Sequence, residues 1–254
     1  MIEYVGIEKS FEKPVLRGIN LAIEAGERLA IVGPSGGGKS VLLKITNGLI
    51  VPDRGDVRLD GESVYFGPRA TLDKWRQSIG YVFQYAALFD SLNVYENVIL
   101  GIPEKESKQL GAPEKLARVR SALDSVRLAP NAVLAKLPSE LSGGMRKRVG
   151  IARAIIGRPT IMLFDEPVTG LDPVTSAAVV HLIDRLSREL RATTVFVTHD
   201  VEGALDWSDR IALLDGGRVR FAGTPTAFRN SDDALVRAFA DRRLAAQMNL
   251  EVQP

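Results

Sequence analysis

"RLAIVGPSGGGKSVLLKIT", residues 28–46, is the stretch that decides the fold. It opens with a short apolar run that predicts a buried strand, and the apolar residues after the glycines recur at helix spacing. Between the two lies the pattern G-x-x-x-x-G-K-S, from Gly33 to Ser40. The stretch therefore predicts a strand, a glycine-rich loop and a helix in direct succession. The helix residues expected to face inward are Leu42, Leu43 and Ile45.

The glycine-rich loop has the residue types that bind a phosphate. Glycines let successive main-chain N–H groups point at one anion, and the positive N-terminal end of the following helix adds to that attraction. Lys39 is expected to reach the β and γ oxygens of a nucleotide, and the Ser40 hydroxyl to coordinate Mg²⁺. Because the loop lies between a strand and a helix, we interpret it as a phosphate site rather than an ordinary turn.

Composition narrows the classes of protein. The 254 residues are 45% hydrophobic, enough for a sizeable core, and 33 Lys and Arg against 31 Asp and Glu leave a net charge of +2. No nucleic-acid partner is expected from such a balance. Cysteine is absent, which excludes disulfides and cysteine-ligated metals. No apolar run approaches the roughly 18 residues of a membrane span, so we expect a cytosolic chain that meets a membrane only through a partner.

The remaining pattern predicts an α/β core with additions. Residues 2–32 are typical of strands joined by turns, whereas residues 90–159 are polar and helical. The runs "TIMLFDEP" and "TTVFVTHD" end in acidic or histidine residues, as parallel strands do when they carry a site at their carboxyl ends. Hairpins are predicted with turns at 60–61 and 215–217. We expect a parallel core, a helical insertion and an extra β layer at the front.

An acidic pair ends the first of those two runs. Asp165 can hold Mg²⁺, usually through a water, and Glu166 can orient and deprotonate an attacking water. Acidic residues also end strands for purely structural reasons. With Lys39 upstream, the pair predicts a hydrolytic site.

"LPSELSGGMRKRVGIARAI", residues 137–155, places small residues at a second helix start. The cap chemistry of Ser142, Gly143 and Gly144 alone favours a plain capped helix, but the same residues also fit a second phosphate cradle at a positive helix end. Since one face of the nucleotide is already taken, a second cradle is most simply supplied by another copy of the chain. The basic run Arg146 to Arg148 is interpreted as a solvated helix face. The apolar stripe predicted on this helix is Val149, Ile151, Ala152, Ile155 and Ile156.

Five motifs occur in one order: "GPSGGGKS", "LSGGM", "IMLFDE", "TGLD" and "VTHD". Together they resemble the ATP-binding cassette (ABC) ATPases over roughly residues 1–225. The resemblance implies an α/β fold with a P-loop NTPase (RecA-like) core, an antiparallel β subdomain and a helical signature subdomain inserted at about 85–159. It implies a cassette domain over 1–226 and a C-terminal helical tail over 227–254.

The resemblance also assigns roles to single residues. Glu166, His199 and Gln84 are the expected catalytic residues, with His199 as the switch on the γ-phosphate and Gln84 touching Mg²⁺ or the lytic water. The nucleotide-binding residues that it implies are Phe11 (stacked on adenine), Gly33, Pro34, Ser35, Gly36, Gly37, Gly38, Lys39, Ser40, Val41, Gln84, Ser142, Gly143, Gly144, Asp165 and Asp172. The implied magnesium ligands are Ser40, Gln84 and Asp165. The other histidine, His181, has no motif around it.

A narrower resemblance rests on "FQYAALFDSLNVYENV" and "DEPVTGLDP" together with the 137–155 stretch. These are similar to ATPase subunits of MCE-type, Mla-like transporters, which move phospholipid or related apolar molecules across a bacterial envelope. Met145 agrees with that group, since glutamine is commoner in the wider family. Val168 and Phe11 depart from the wider pattern, in which Thr or Ser and Tyr are commoner.

The narrower resemblance implies ATP and Mg²⁺ as ligands and several partners. These are a second copy of the chain, an integral-membrane permease, an MCE substrate-binding protein and a small regulatory subunit, with the chain peripheral on the cytoplasmic side of the bacterial inner membrane. Two rivals stay open: the ATPase of a polar-solute transporter, and a soluble cassette ATPase acting on nucleic acid or ribosomes.

Two stretches have two interpretations each. Leu88, Phe89, Leu92 and Val94 form either a groove for a permease helix or internal packing. The C-terminal helix either clasps a partner or packs on its own domain, through Leu235, Val236, Phe239 and Leu244.

Overall fold

The computed structural model describes residues 1–241, apart from the side chains of residues 69 and 70. The strands in this part of the chain are β1 (Ile2–Ser10), β2 (Pro14–Ile23), β3 (Arg28–Val32), β4 (Arg54–Leu59), β5 (Glu62–Ser63), β6 (Ile79–Val82), β7 (Ile161–Asp165), β8 (Thr193–Val197), β9 (Arg210–Asp215) and β10 (Arg218–Gly223). The helices are α1 (Lys39–Thr46), α2 (Arg69–Gln77), α3 (Val94–Ile99), α4 (Glu104–Ser107), α5 (Ala112–Ser125), α6 (Pro130–Val133), α7 (Gly143–Ile155), α8 (Pro173–Leu190), α9 (Val201–Trp207), α10 (Pro225–Arg229) and α11 (Ala234–Ala240), with a 3-10 turn at Pro138–Glu140.

The chain divides into two compact units. Unit 1 comprises Met1–Arg76 and the chain from Thr193 onward, and unit 2 comprises Gln77–Ala192. Unit 1 therefore holds the glycine-rich loop, whereas unit 2 holds the acidic pair and the 137–155 stretch.

Unit 1 contains an antiparallel sheet with the strand order β2-β1-β4-β5. Strand β1 pairs with both β2 and β4, with Ile2 opposite Ile23 and Leu59 respectively. Alternation along β1 turns Tyr4 inward, where its hydroxyl shares a 2.7 Å hydrogen bond with Thr46 of α1. Burial raises the pKa of Tyr4 to about 12, so the phenol stays protonated and continues to tie the sheet to α1.

A second set of strands in unit 1 has the order β10-β9-β3-β8. Strand β3 runs parallel to both β8 and β9, and β9 and β10 form an antiparallel hairpin. The predicted hairpins at 60–61 and 215–217 are confirmed as the β4–β5 and β9–β10 connections. The predicted inward side of α1 is also confirmed, since its three residues are fully buried: Leu42, Leu43 and Ile45.

In unit 2, strands β6 and β7 pair in parallel, and α7 packs against α3, α5 and α8. Helix α3 begins at a capping box in which the Asn93 side chain accepts from the Glu96 N–H and the Glu96 side chain accepts from the Asn93 N–H. The predicted apolar stripe of α7 is confirmed, because all of its members are buried: Val149, Ile151, Ala152, Ile155 and Ile156.

One prediction for unit 2 is wrong, and the structure decides between two open interpretations for Val94. Lys147, expected on a solvated face with Arg146 and Arg148, is only 6% exposed, because its side chain reaches a main-chain carbonyl inside the unit. Val94, whose stretch was expected to form either a groove or internal packing, is fully buried because α3 packs on α5 and α7. Its neighbour Phe89 is 56% exposed and still available to a partner.

The C-terminal tail is described only in part. Helix α11 has seven residues, with Val236 buried and Phe239 half-buried. Residues 242–254, including Leu244, lie outside the described residues, so the domain boundary at 226 and the role of the tail stay predictions. None of the described helices combines the length and the apolar content that crossing a membrane requires.

Candidate functional site

The glycine-rich loop joins β3 to α1 in unit 1. Gly33 has a φ of 147°, and a Cβ built on it would lie 2.1 Å from the carbonyl oxygen of Leu214. Only glycine fits there, because that region of φ is unfavourable for L residues and the space is filled by main chain. Gly33 is buried, whereas residues 34–36 at the tip of the loop are exposed. The loop is anchored at its base and accessible at its tip.

Lys39 is the first residue of α1 and is only 5% exposed. Its ammonium donates to the carbonyl oxygens of Gly33 and Pro34, each at 2.9 Å. Ser40 and Val41 follow in the first turn of α1 and are half-buried. The loop thus brings a lysine and a hydroxyl to the positive end of a helix, which is the chemistry that an anion requires.

Phe11 and His199 are the other predicted site residues in unit 1. Phe11 is 60% exposed in the connection between β1 and β2, and the Lys9 ammonium lies 5.6 Å from the centre of its ring. A cation over one face of an exposed aromatic ring leaves the other face for stacking. His199 is exposed between β8 and α9, next to Asp200, which caps α9 by accepting from the Gly203 N–H at 3.3 Å.

Asp165 ends β7 in unit 2 and is only 4% exposed. The Tyr81 hydroxyl on the neighbouring strand β6 donates to Asp165 Oδ2 at 3.2 Å. Burial, followed by the negative charge of Asp165, raises the pKa of Tyr81 above its usual range. Tyr81 is therefore a permanent donor that orients the carboxylate of Asp165, and it was missed in the sequence because nothing local marks it.

Glu166 has a left-handed main chain, with a φ of 44°. Its Oε2 accepts hydrogen bonds from Thr169 Oγ1 at 3.1 Å and from Gln84 Nε2 at 3.3 Å. A positive φ at a residue with a side chain is an unfavourable conformation that proteins tolerate mainly at functional positions. The structure therefore brings two predicted residues, Gln84 and Glu166, into direct contact and fixes the direction of the carboxylate.

The turn formed by Ser142, Gly143 and Gly144, here called the signature turn, contacts the start of α8, which Asp172 caps. Ser142 caps α7 by accepting from the Met145 N–H at 3.3 Å, and Asp172 caps α8 by accepting from the Thr175 N–H at 3.0 Å. Those bonds to Thr175 hold the pKa of Asp172 below its usual range. A Cβ at Gly144 would lie 2.8 Å from the Thr175 methyl, so the two helix ends are in contact. The turn at 142–144 therefore lies against the first turn of α8.

Basic residues of α7 hold the segment that follows Gln84. Lys147 donates to the Gln84 carbonyl, and Arg153 donates to the carbonyls of Ala86 and Ala87 at 3.0 and 2.8 Å. The sequence signal for this arrangement is the spacing Lys-x-x-Gly-x-x-Arg, which puts three residues along one side of a helix. From the sequence, only Arg146 to Arg148 were interpreted as a solvated face, and no role was assigned to Arg153.

Comparison with known proteins finds extensive similarity. A family model described as ABC transporter matches residues 16–169, and one described as an AAA domain matches residues 137–206. The intermembrane phospholipid transport system ATP-binding protein MlaF of Escherichia coli (strain K12) is 40% identical over 223 residues, which are 88% of this chain and 81% of that protein. The Fe(3+) ions import ATP-binding protein FbpC of Pseudomonas fluorescens is also 40% identical, over 94% of this chain and 66% of its own length.

Solved structures agree with these matches. The dimeric structure of MJ0796, a bacterial ABC transporter cassette, has a TM-score of 0.80 and 33% identity, and the alignment covers 89% of this chain and 99% of that one. The same cassette in a post-hydrolysis state bound to ADP and Pi has a TM-score of 0.79 over the same shares of both chains.

Proposed function

This chain belongs to the ABC transporter family, and on that premise we propose that it is the ATP-hydrolysing subunit of an MCE-type, Mla-like transporter of phospholipids or related apolar molecules. It is an ATPase with the α/β P-loop NTPase fold of the cassette. The single observation that carries the lipid assignment is Met145 in "LSGGM", where the wider family more commonly has glutamine. Overall similarity does not carry it, because the iron import protein FbpC is as similar to this chain as MlaF is.

The proposed chemistry divides between a lysine and a carboxylate. Lys39, already fixed by the loop, binds the terminal phosphates of ATP, and Glu166 takes the proton of the attacking water. The contact of Gln84 with Glu166 supports this role, since the amide orients the carboxylate and lies within reach of the same water. His199 is the proposed contact to the γ-phosphate, and Phe11 the proposed stacking surface for adenine.

The residues present fit Mg²⁺ as the metal. The proposed ligands are Ser40, Gln84 and Asp165, whose hydroxyl, amide and carboxylate oxygens are the donors that this hard cation prefers. Residues 1–241 contain no group of three or more His, Cys, Asp or Glu side chains placed to hold a metal. That agrees with an ion held largely by the phosphates of its nucleotide. The metal would neutralise charge that develops on those phosphates during transfer.

The proposed partner in hydrolysis is a second copy of the chain. Ser142, Gly143 and Gly144 would contact the γ-phosphate held by the other copy, with Asp172 nearby, and the dimeric state of the MJ0796 cassette supports this arrangement. In this arrangement ATP closes the dimer because it binds the closed state more tightly than the open state. About 5.5 kcal/mol moves a two-state equilibrium from 1:99 to 99:1.

The Ser142→Arg variant tests this dimer. We expect the monomer to bind ATP as the wild type does, while the ATP-dependent dimer is lost, because a long cation fills the space of the γ-phosphate contact. Size-exclusion chromatography with light scattering, in the Glu166→Gln background and with ATP, measures this. Ser121→Arg, on an exposed position of α5, adds the same charge elsewhere and is the control. An unchanged dimer in Ser142→Arg would remove the signature turn from the interface.

A permease is the proposed membrane partner, with the chain peripheral on the cytoplasmic side of a bacterial inner membrane. Tyr85 is 76% and Phe89 is 56% exposed, and both lie directly after Gln84. The segment is pre-organised, because Asn97, fully buried, accepts from the Phe89 N–H and donates to the carbonyls of Phe89 and Leu92. Two exposed aromatic rings on a fixed main chain support a docking surface for a permease helix.

Isolation of the complex tests the lipid assignment. The tagged Glu166→Gln chain is purified with ATP from membranes of its own host, and the co-purifying proteins and lipids are identified by mass spectrometry. An MCE protein, a permease and bound phospholipid are expected, with a small regulatory subunit as a further component. A permease with a periplasmic binding protein for a polar solute, or no membrane protein at all, would overturn the lipid assignment and leave the ATPase intact.

A further inference from the structure

Three interactions hold the segment 84–87 against one side of α7. Lys147 donates to the Gln84 carbonyl, and Arg153 donates to the carbonyls of Ala86 and Ala87. Between them, Gly150 lies so close to the segment that a Cβ there would be 3.2 Å from the Ala86 oxygen. We call Lys147 and Arg153 with these acceptors the α7 clasp.

The α7 clasp places the charges of Lys147 and Arg153 away from water, and burying a charge costs free energy. Lys147 is only 6% exposed, and an ammonium loses most of its hydration there. Burial lowers the pKa of Lys147, and the negative charge of Glu166 acts in the opposite direction. Burial also lowers the pKa of Arg153. A charged donor makes a stronger hydrogen bond to a main-chain carbonyl than a neutral donor does. Lys147 and Arg153 therefore fix the carbonyls that they bind.

What the clasp fixes is the residue that contacts Glu166. The Gln84 carbonyl is held by Lys147, while the Gln84 side chain donates to Glu166 Oε2 at 3.3 Å. A shift of the Gln84 main chain would carry its amide away from that oxygen. Ala87, at the other end of the segment, has a φ of 48°, so the main chain there depends on its surroundings to keep this conformation.

We propose that Lys147 and Arg153 are positioning residues for hydrolysis, which clamp the main chain of 84–87 to α7 so that Gln84 orients the carboxylate of Glu166. The proposal rests on the ATPase function proposed above.

The Lys147→Met variant of the full chain tests the clasp. Methionine has nearly the shape of the lysine stem but cannot donate, so kcat at saturating Mg-ATP is expected to fall at least about tenfold, since small misplacements of reacting groups cost that much or more. The KM for ATP is expected to change by less than about twofold, because the phosphate loop is untouched. Lys147→Arg keeps a charged donor and is expected to retain kcat within about threefold.

A double-mutant cycle separates positioning from packing. Gln84→Ala removes the side chain that the clasp positions but keeps the carbonyl that Lys147 holds. If Lys147 acts through Gln84, Lys147→Met lowers kcat in the wild type and not in the Gln84→Ala background. An equal fall in both backgrounds, or no fall in the wild type, would overturn the proposal. Arg153→Met is a second test of the same clasp, with the same expectation.

The outcomes separate this inference from the ATPase function. If the wild type does not hydrolyse ATP, or Glu166→Gln hydrolyses it normally, the proposed function fails. If both behave as expected and kcat of Lys147→Met is unchanged, only the clasp fails. If Lys147→Met and Arg153→Met both fail to fold, as judged by circular dichroism and thermal melting, the two residues are structural and the proposal is overturned.

Discussion

The glycine-rich loop of unit 1 and the acidic cluster of unit 2 are built in different ways. In the loop, Lys39 finds its acceptors five and six residues away, on the main chain. In the acidic cluster, Glu166 has a local partner, Thr169, but other contacts join residues far apart in sequence: Gln84 lies 82 residues from Glu166, and Lys147 lies 63 residues from Gln84. The groups proposed to bind phosphate are thus arranged by local sequence, whereas the groups proposed for hydrolysis depend on the tertiary fold.

The Glu166→Gln variant should separate the two regions most clearly. Loss of the proposed base is expected to lower kcat by about 10³-fold, within the usual range for general-base catalysis. Affinity for ATP should stay within about twofold, because the phosphate loop is unchanged, and a closed dimer should accumulate. Single-turnover hydrolysis and fluorescent-nucleotide titration measure the two effects. Normal turnover would remove Glu166 from the mechanism.

The Lys39→Met variant tests the other region, because it should change the affinity for ATP. The stem is retained but the charge is lost, and affinity for ATP is expected to fall about 100-fold, since a charged hydrogen bond contributes about 1.5–3 kcal/mol. Isothermal titration calorimetry measures the affinity. Lys39→Arg keeps the charge and serves as the matched variant, and thermal melting verifies that each variant is folded. Unchanged affinity in Lys39→Met would show that the loop does not bind phosphate through this residue.

The smallest effect is expected at Phe11. Base stacking on an aromatic ring is worth about 1–3 kcal/mol, and the exposure of Phe11 favours the lower end. Phe11→Ala should therefore weaken ATP binding about fivefold, with no change in kcat. Phe11→Trp should restore the affinity. Affinity for inorganic triphosphate, which has no base, should be the same in all three proteins, and a parallel loss there would contradict a stacking role.

The same contrast explains what could be predicted from the sequence. The strand, loop and helix around Gly33, and the hairpins at 60–61 and 215–217, follow from local residue types and were predicted. Lys147 was placed in solvent because charge in a helix normally faces water. Its real acceptor is a carbonyl that no pattern near residue 147 reveals. The two interpretations of Val94 stayed open for the same reason, since exposure on α3 is decided by α5 and α7.

The left-handed main chain of Glu166 has an evolutionary consequence. A left-handed main chain costs an ordinary L residue about 1–2 kcal/mol and costs glycine and asparagine less, so a glutamate at this position opposes the local backbone preference. Glu166→Gly removes that cost, but it also loses the hydrogen bonds from Thr169 and Gln84 and gives the unfolded chain more freedom, so we expect it to melt close to the parent while being inactive. A descendant of this gene that no longer needed the proposed base would therefore lose little stability by changing to glycine or asparagine at this codon.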